Sequence, residues 1–232
     1  MKNCHVIFVV TLFLTAISCN KNKTSGGLTS LNIINAEAGI PSIYVYLTLS
    51  DSAFYLQQSA LQYGSCVEYG IPSGTSPLTL INSIDTTKTL LQADLHVTTG
   101  GIYSLYLSGQ YPNVDTLLRQ DSIPVNIDSV AGLRFINLSS GSQAMTVNLQ
   151  GNPSSQTEFS GLGYKMISSF RTYPDTSGIT SYIFEVRDQA SGNLLFTFTW
   201  NFTLYRNNTI VIDGSEDPTS LTPIGGFQVN NF

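Results

Sequence analysis

The sequence predicts an all-β protein, built as two tandem immunoglobulin-like β-sandwiches. Three observations carry this prediction: the residue inventory, the alternation of apolar and polar residues, and an internal repeat. The chain has 232 residues, of which 42% are hydrophobic and only 11% charged, against roughly 25% charged in average soluble proteins. Ser, Thr, Asn and Gly fill the deficit, and Thr in particular suits a half-buried pleated surface.

The alternation is clearest from Phe196 to Tyr205. Phe196, Phe198, Trp200, Phe202 and Leu204 fall on one face, and Thr197, Thr199, Asn201, Thr203 and Tyr205 on the other. Side chains alternate across a strand, so the first set is expected in a core and the second in water. Trp200 is therefore expected as a core residue. Further strands are read at 42–49, 90–97 and 102–107, then at 133–138, 145–149, 182–186, 194–205 and 209–212. In the strand at 90–97, Leu91, Ala93, Leu95 and Val97 should point inward, leaving His96 outside beside Asp94. Turn signals separate the strands at Gly39-Ile40-Pro41, Pro72-Ser73-Gly74, Gly100-Gly101, Ala190 to Asn193 and Asn207-Asn208. No sustained helical periodicity occurs beyond the first 18 residues.

The repeat sets the domain count. Leu31 to Leu47 parallels Leu133 to Leu149, Leu61-Gln62-Tyr63 parallels Leu162-Gly163-Tyr164, and the run ending at Gly109 parallels the run ending at Gly214. The offsets are 102, 101 and 105 residues, and the anchors keep one order. Each copy is thus about 100 residues, the size of an immunoglobulin-like sandwich. The expected division is 1–18 signal peptide, 19–27 tether, 28–128 first sandwich and 129–232 second sandwich. A rigid junction is expected around Ile127 to Gly132.

The amino terminus reads as an address. Lys2 and His5 precede an apolar run from Val6 to Ala16, too short to span a membrane and apt for a signal peptide. Ala16-Ile17-Ser18-Cys19 resembles a lipobox, with Ala16 where Leu is usual. The resemblance implies cleavage before Cys19, lipid attachment to Cys19 and membrane anchoring at the outer membrane of a Gram-negative bacterium. Asn20 to Thr24 and Gly26-Gly27 read as a flexible tether. Of three cysteines, Cys4 would leave with the signal and Cys19 would take lipid. Cys66 is left unpaired, and its strand-like flanks suggest a buried free thiol.

The repeated anchors resemble domain-of-unknown-function family 4397, secreted immunoglobulin-like domains often found in tandem in bacterial lipoproteins. The residues that carry the resemblance are the opening strands Leu31 to Asn35 and Leu133 to Asn137, the stretch LQYGSCVEYGIPSGT from Leu61 to Thr75, and the strand Ile102 to Gly109. The second copy lacks the Gly after Tyr164 and is looser from Arg171 to Gly178. The resemblance implies the fold and no activity, since a sandwich hosts many functions.

Little in the sequence points to catalysis. His96 is the only histidine after the signal, no His/Cys spacing suits a transition metal, and Gly70 to Gly74 lacks the order of a nucleophile elbow. The Asp residues fall mostly at turn signals, and Asp213-Gly214 and Glu216-Asp217 read as turns rather than calcium ligands. Greasy strand faces packed on each other would leave no buried polar cluster suited to bond-breaking. No cofactor and no enzymatic role are expected. The net charge of −5 lacks any Lys/Arg run, which disfavours nucleic acid.

One tripeptide recurs, Asp followed by Ser or Thr and then an apolar residue or Thr. It places Ser52, Thr86, Thr116, Ser122 and Ser129 as candidate O-glycosylation sites, by resemblance to a signal on exported proteins of some Gram-negative bacteria. Its competing explanation is that Asp-Ser and Asp-Thr favour turns. Tyr111, in an expected loop from Ser108 to Asp115, is a candidate ligand contact that could equally pack on its own domain. The expected role is a non-catalytic envelope module binding a glycan or an envelope protein. The alternatives are a structural spacer and, last, a secreted hydrolase.

Overall fold

The computed structural model describes residues 27–47, 60–153, 155–176, 178–216 and 220–231. Cys19, the signal segment, most of the tether, Ser52 and Asp217 lie outside these residues. The described residues form strands and turns with no helix, so none is long and apolar enough to cross a membrane.

The first module holds β1 (Leu28–Asn35), β2 (Ser42–Leu47), β3 (Leu61–Gln62), β4 (Ser65–Pro72), β5 (Gly74–Asn82), β6 (Thr89–Val97), β7 (Ile102–Gln110) and β8 (Asn113–Gln120). The second holds β9 (Val130–Asn137), β10 (Met145–Leu149), β11 (Thr157–Leu162), β12 (Arg171–Pro174), β13 (Ser181–Asp188), β14 (Leu194–Asn201), β15 (Asn207–Asp213) and β16 (Gly225–Asn231). Two sheets form each module: β4-β1-β7-β8 with β3-β2-β5-β6, and β12-β9-β15-β16 with β11-β10-β13-β14. Strand for strand the orders correspond, so the sequence repeat is a structural repeat of eight strands. In each module the first strand runs parallel to the seventh, Asn35 opposite Leu107 and Asn137 opposite Ile212.

Each sandwich has its own core. Leu31, Ile33, Ile43, Leu80 and Leu105 are wholly buried or nearly so in the first. Phe135, Val147, Phe184, Trp200 and Ile210 are fully buried in the second. The expected alternation holds in β6, where Leu95 and Val97 are buried and His96 is exposed, its Nδ1 3.0 Å from the Thr75 hydroxyl. It holds more loosely in β14. Trp200 is fully buried while Phe196 and Phe198 are half-buried, because β14 edges its sheet. The strand also stops at Asn201, short of the expected Tyr205, which turns the chain at φ +64°.

The expected junction around Ile127 to Gly132 is too small. The modules pack sheet against sheet, β4-β1-β7-β8 of the first on β12-β9-β15-β16 of the second. Ile34, Ala36, Tyr106, Ile136, Leu138, Val211 and Val229 form a third apolar cluster between them, each at most 1% exposed. Burying such a side chain contributes about 1.5–3 kcal/mol for the larger ones. The molecule is therefore four sheets deep, and its two inner sheets are covered on both faces. This explains why β9 and β15 are buried almost from end to end. Strands covered on both faces read as nearly continuous apolar runs rather than alternation, as in Ile210-Val211-Ile212.

Candidate functional site

The contact between modules follows an approximate two-fold relation, which is legible in its tyrosines. Tyr164 of the second module reaches Ser108 at 3.0 Å and Asp115 at 3.1 Å in the first. Its repeat counterpart, Tyr63 of the first module, bonds Asp213 in the second. Ser108 and Asp213 each precede an anchor glycine, Gly109 or Gly214, at φ +99° and +83°. Lys165 completes the Tyr164 side with an ion pair to Asp115 at 2.5 Å and a bond to the Thr116 carbonyl at 3.0 Å. Burial works against the Asp115 charge, but Lys165 and the Thr116 amide outweigh it and hold its carboxyl below the usual range.

A buried polar group that alternation did not lead one to expect lies here. Glu37 is fully buried, and burial pushes its pKa up to about 8 against the weaker pull of the Tyr111 and Ile40 backbone, neither of which forms a well-aligned hydrogen bond to it. Asp213, expected in a turn, is instead the buried last residue of β15. One of its oxygens is unpartnered, and burial pushes its pKa up to about 7. Burial and the negative charges of Asp213 and Glu37 push the Tyr63 phenol far up. The packing of one module on the other creates this cluster, which alternation within a single sandwich cannot reveal.

Across the same interface lies a buried ion pair. Arg134 bonds Asp121 at 2.7 Å, with side chains 7% and 2% exposed. It also bonds Thr209 at 2.8 Å and the Tyr106 hydroxyl at 3.4 Å, and stacks over the Phe170 ring at 4.5 Å. The ladder registers give each of these a counterpart on the other side of the pseudo-two-fold. Asn32 stands for Arg134, Glu68 for Phe170, Ser104 for Thr209 and Asn231 for Asp121. One bond survives the exchange: Ser104 donates to Asp121 at 2.5 Å, and Thr209 donates to Asn231 at 2.5 Å.

Where the large side chains are replaced by short polar ones, the interface opens. The result is a groove of about 450 Å³ between β4 of the first module and β15–β16 of the second. Glu68, Arg206, Asn207, Asn208, Gln228 and Asn230 line it, with Thr203 and Asn231. Its amides are ordered by one another. The indole of Trp200 donates to Asn208 at 2.9 Å, Asn208 donates to Asn230 at 2.9 Å, and Gln228 donates to Asn230 at 3.1 Å. At the other end Asn126 donates to Asn207 at 3.1 Å, and Asn207 donates to the Pro124 carbonyl at 2.7 Å. Glu68 accepts from Ser30 at 2.7 Å. Each primary amide offers both donors and an acceptor, so the wall can pair with either sense of a hydroxyl. Asn207-Asn208, expected as a turn, are instead the buried start of β15, and sequence reasoning assigned no residue of this groove to a site. Its one signal was the density of Asn from 207 to 231, where alternation alone calls for Thr or Ser.

The residues singled out from sequence do not converge. Tyr111 sits in a two-residue turn between β7 and β8, not in the loop expected from Ser108 to Asp115. It is 41% exposed, and its amide donates to Ala38 at 3.0 Å. Thr86, Ser122 and Ser129 are exposed. Asp85 closes its turn by accepting from the Thr87 amide and hydroxyl at 3.2 and 2.6 Å, as the turn explanation requires. Thr116 is half-buried within β8, beside an Asp115 already engaged by Lys165. Cys66, expected buried, is exposed on edge strand β4, and its partly desolvated thiol is pushed up rather than activated. Among the described residues no cluster of three His, Cys, Asp or Glu side chains could hold a metal.

No protein-family model and no curated protein matches the chain. Among solved structures it is similar to a family 26 carbohydrate-binding module of Amy13K from Eubacterium rectale in complex with maltoheptaose, at 10% identity over 88% of this chain and 97% of that one, TM-score 0.28. A streptococcal virulence factor studied for alpha-glucan binding matches at 8% identity over 84% and 95%, TM-score 0.27. A candidate cell adhesion protein from Bacteroides uniformis matches at 7% identity over 88% and 98%, TM-score 0.26. Likeness at this level carries no argument about what this chain binds.

Proposed function

We propose that this protein is a non-catalytic, lipid-anchored envelope module, held at the outer membrane through Cys19, that binds a hydroxyl-rich glycan in the Asn207–Asn231 groove. The groove itself carries the reading. It falls in the size range of small-ligand sites, and amides fixed by mutual hydrogen bonds suit hydroxyl groups that both donate and accept. Arg206 and Glu68 add one charge of each sign, so a neutral or weakly charged sugar is favoured over a polyanion. A lipobox-like Cys19 and a shared plan with secreted tandem domains support the envelope setting and membership of domain family 4397. An O-linked glycan at the exposed Thr86 belongs to the same reading, and intact mass of protein from its native host tests it.

The test is a glycan array followed by calorimetry on two proteins, wild type and the double variant N32R/N231D. The double variant is designed to place beside the groove the pair that Arg134 and Asp121 form on the opposite side, and an unchanged circular dichroism spectrum and thermal midpoint check that it keeps the fold. A glycan held by wild type and lost by the variant supports the reading. A glycan held equally by both, or none at all, defeats it. The second reading, a rigid spacer holding another envelope protein off the membrane, is favoured by the broad contact between the two modules. It predicts no array signal and a loss of assembly when that contact is weakened.

A further inference from the structure

The molecule has two poles, set by the strand directions. Arg134, early in β9, meets Asp121, which follows β8 and donates its amide to Ile102 at the start of β7 at 2.8 Å. Tyr164, just past β9 and β11, meets Ser108 near the end of β7. The beginnings of β1, β7, β9 and β15 therefore share one pole, and their ends share the other. The carbonyl of Leu28 accepts from Gly100 at 3.0 Å at the first of these poles.

We infer that the pole carrying Leu28, Val125 and Ile127 is the face this protein lays against the bilayer surface. Val125 and Ile127 are 85% and 84% exposed, and Leu28 is 71% exposed. They belong to the segment joining the modules and to the first strand. In that segment Asn126 turns inward to Arg206 and Asn207, at 3.3 and 3.1 Å, which leaves its two apolar neighbours pointing out. The inward bonds thus hold Val125 and Ile127 in the solvent, where the cores of the two modules cannot take them. Tyr205, 53% exposed, is fixed at the same pole by its amide bond to Val130 at 2.8 Å. Arg119 and Arg206 are exposed there as well, on a chain whose net charge is −5. Asp128, next to Ile127, is exposed there too, so the face carries charge of both signs, and it is the apolar pair with its aromatic neighbour that suits the headgroup boundary.

Chain length names the occupant. This inference rests on acylation of Cys19, part of the function proposed above. Nine residue steps separate Cys19 from Leu28, and a fully extended chain covers at most about 3.3–3.6 Å per residue. The Leu28 pole therefore lies within about 30 Å of the anchoring bilayer. The far pole also exposes apolar side chains, Ile84 and Met166 among them, so it is the point where the tether joins the chain that selects the Leu28 pole. Leu221, 96% exposed, lies between β15 and β16 at the far pole and has no such relation to the anchor.

The experiment uses the acylated full chain in a Cys66→Ser background, with Val125→Cys, Ile127→Cys or Leu221→Cys labelled by an environment-sensitive fluorophore. It is reconstituted in phosphatidylethanolamine/phosphatidylglycerol vesicles. Probes at 125 and 127 should blue-shift and lose at least about half their emission to a spin-labelled headgroup quencher, as expected within about 5–10 Å of the acyl boundary. The probe at 221 should do neither. Acylated protein whose probes at 125 and 127 behave like that at 221 overturns the inference and leaves the anchor standing. A blue shift equally large without vesicles assigns the face to a second copy of the chain and overturns it too. A mass spectrum showing Cys19 unmodified overturns both.

Discussion

Asn35 donates from Nδ2 to the carbonyl of Leu61 at 3.1 Å, and its Oδ1 accepts from the amide of Glu37 at 3.1 Å. Asn137 makes the same two bonds, to Leu162 at 2.9 Å and from Ser139 at 2.9 Å. Each asparagine ends the first strand of its module and ties it to the start of the facing sheet. Both are fully buried. Replacing either by Ala leaves a carbonyl and an amide unpaired in the interior, each costing about 1–3 kcal/mol. Urea denaturation should show Asn35→Ala and Asn137→Ala as comparably destabilising, by about 2–5 kcal/mol in all. An exposed control such as Gln62→Ala should stay within about 0.5 kcal/mol.

The two anchor glycines behave alike for a different reason. A Cβ on Gly109 would meet the Asn113 carbonyl at 2.3 Å, and one on Gly214 would meet the Pro223 carbonyl at 2.3 Å. Both also hold positive φ, which side chains disfavour. Gly109→Ala and Gly214→Ala should each lower the thermal midpoint sharply or abolish soluble expression. Gly70→Ala, with open space around it and no positive φ, should leave the midpoint near wild type.

These two pairs show which parts of the fold were legible in the sequence. Asn35 and Gly109 recur at offsets of 102 and 105 residues because each does a backbone job that few residues can do, and Leu61 recurs as a core residue beside them. The sandwich count, the outward His96 and the buried Trp200 follow from that repeat and from period-two alternation. The contact between modules was not legible, because alternation assumes one wet face. The runs Asn32-Ile33-Ile34 and Ile210-Val211-Ile212 break alternation and mark the sheets covered on both sides. The groove was hidden more deeply. It arises from a difference between counterparts, Asn32 against Arg134 and Glu68 against Phe170, and that comparison needs the register of the ladders.

The Arg134–Asp121 pair gives a sharp test of that interface. Removing one partner of a buried pair strands the other charge and costs about 3–5 kcal/mol. Arg134→Met and Asp121→Leu should therefore each destabilise strongly. The double variant should recover much of the loss, because well-packed apolar replacements of buried pairs are often neutral. A double-mutant cycle by chemical denaturation checks this, and additive losses would mean the two side chains act separately.

Stability should also depend on pH in an unusual direction. Glu37 and Asp213 have folded pKa values raised to about 8 and about 7, from ordinary values of 4.5 and 3.8. Between the ordinary and raised values the folded state holds protons that the unfolded chain has released. Stability then falls as pH rises. The contribution is fully present below about pH 4 and is lost as pH climbs through 7 and 8. The denaturation midpoint should decline from pH 5 to pH 9, while Glu37→Gln and Asp213→Asn should each flatten that decline. Asp115 acts oppositely. Its lowered pKa contributes stability that is lost only as pH falls through the acidic range, outside this window.

Trp200 should report on the groove without a label. It is fully buried, stacks with Tyr182 at 6.1 Å between ring centres, and meets Tyr173 edge-on at 5.6 Å. Its indole donates to Asn208, which also lines the groove and passes a bond to Asn230. A sugar hydroxyl that engages Asn208 or Asn230 must redirect that chain. The charge distribution around the excited indole then changes although no ligand atom touches the ring. The free protein should emit at short wavelength, as the single tryptophan is buried. Titration with a glycan taken from the array should shift or quench that emission along the calorimetric isotherm. Asn230→Ala should weaken both signals together. In Asn208→Ala the indole loses its partner, so the free emission should already differ from wild type and respond little to ligand. Binding seen by calorimetry with an unchanged Trp200 spectrum would place the glycan somewhere other than this wall.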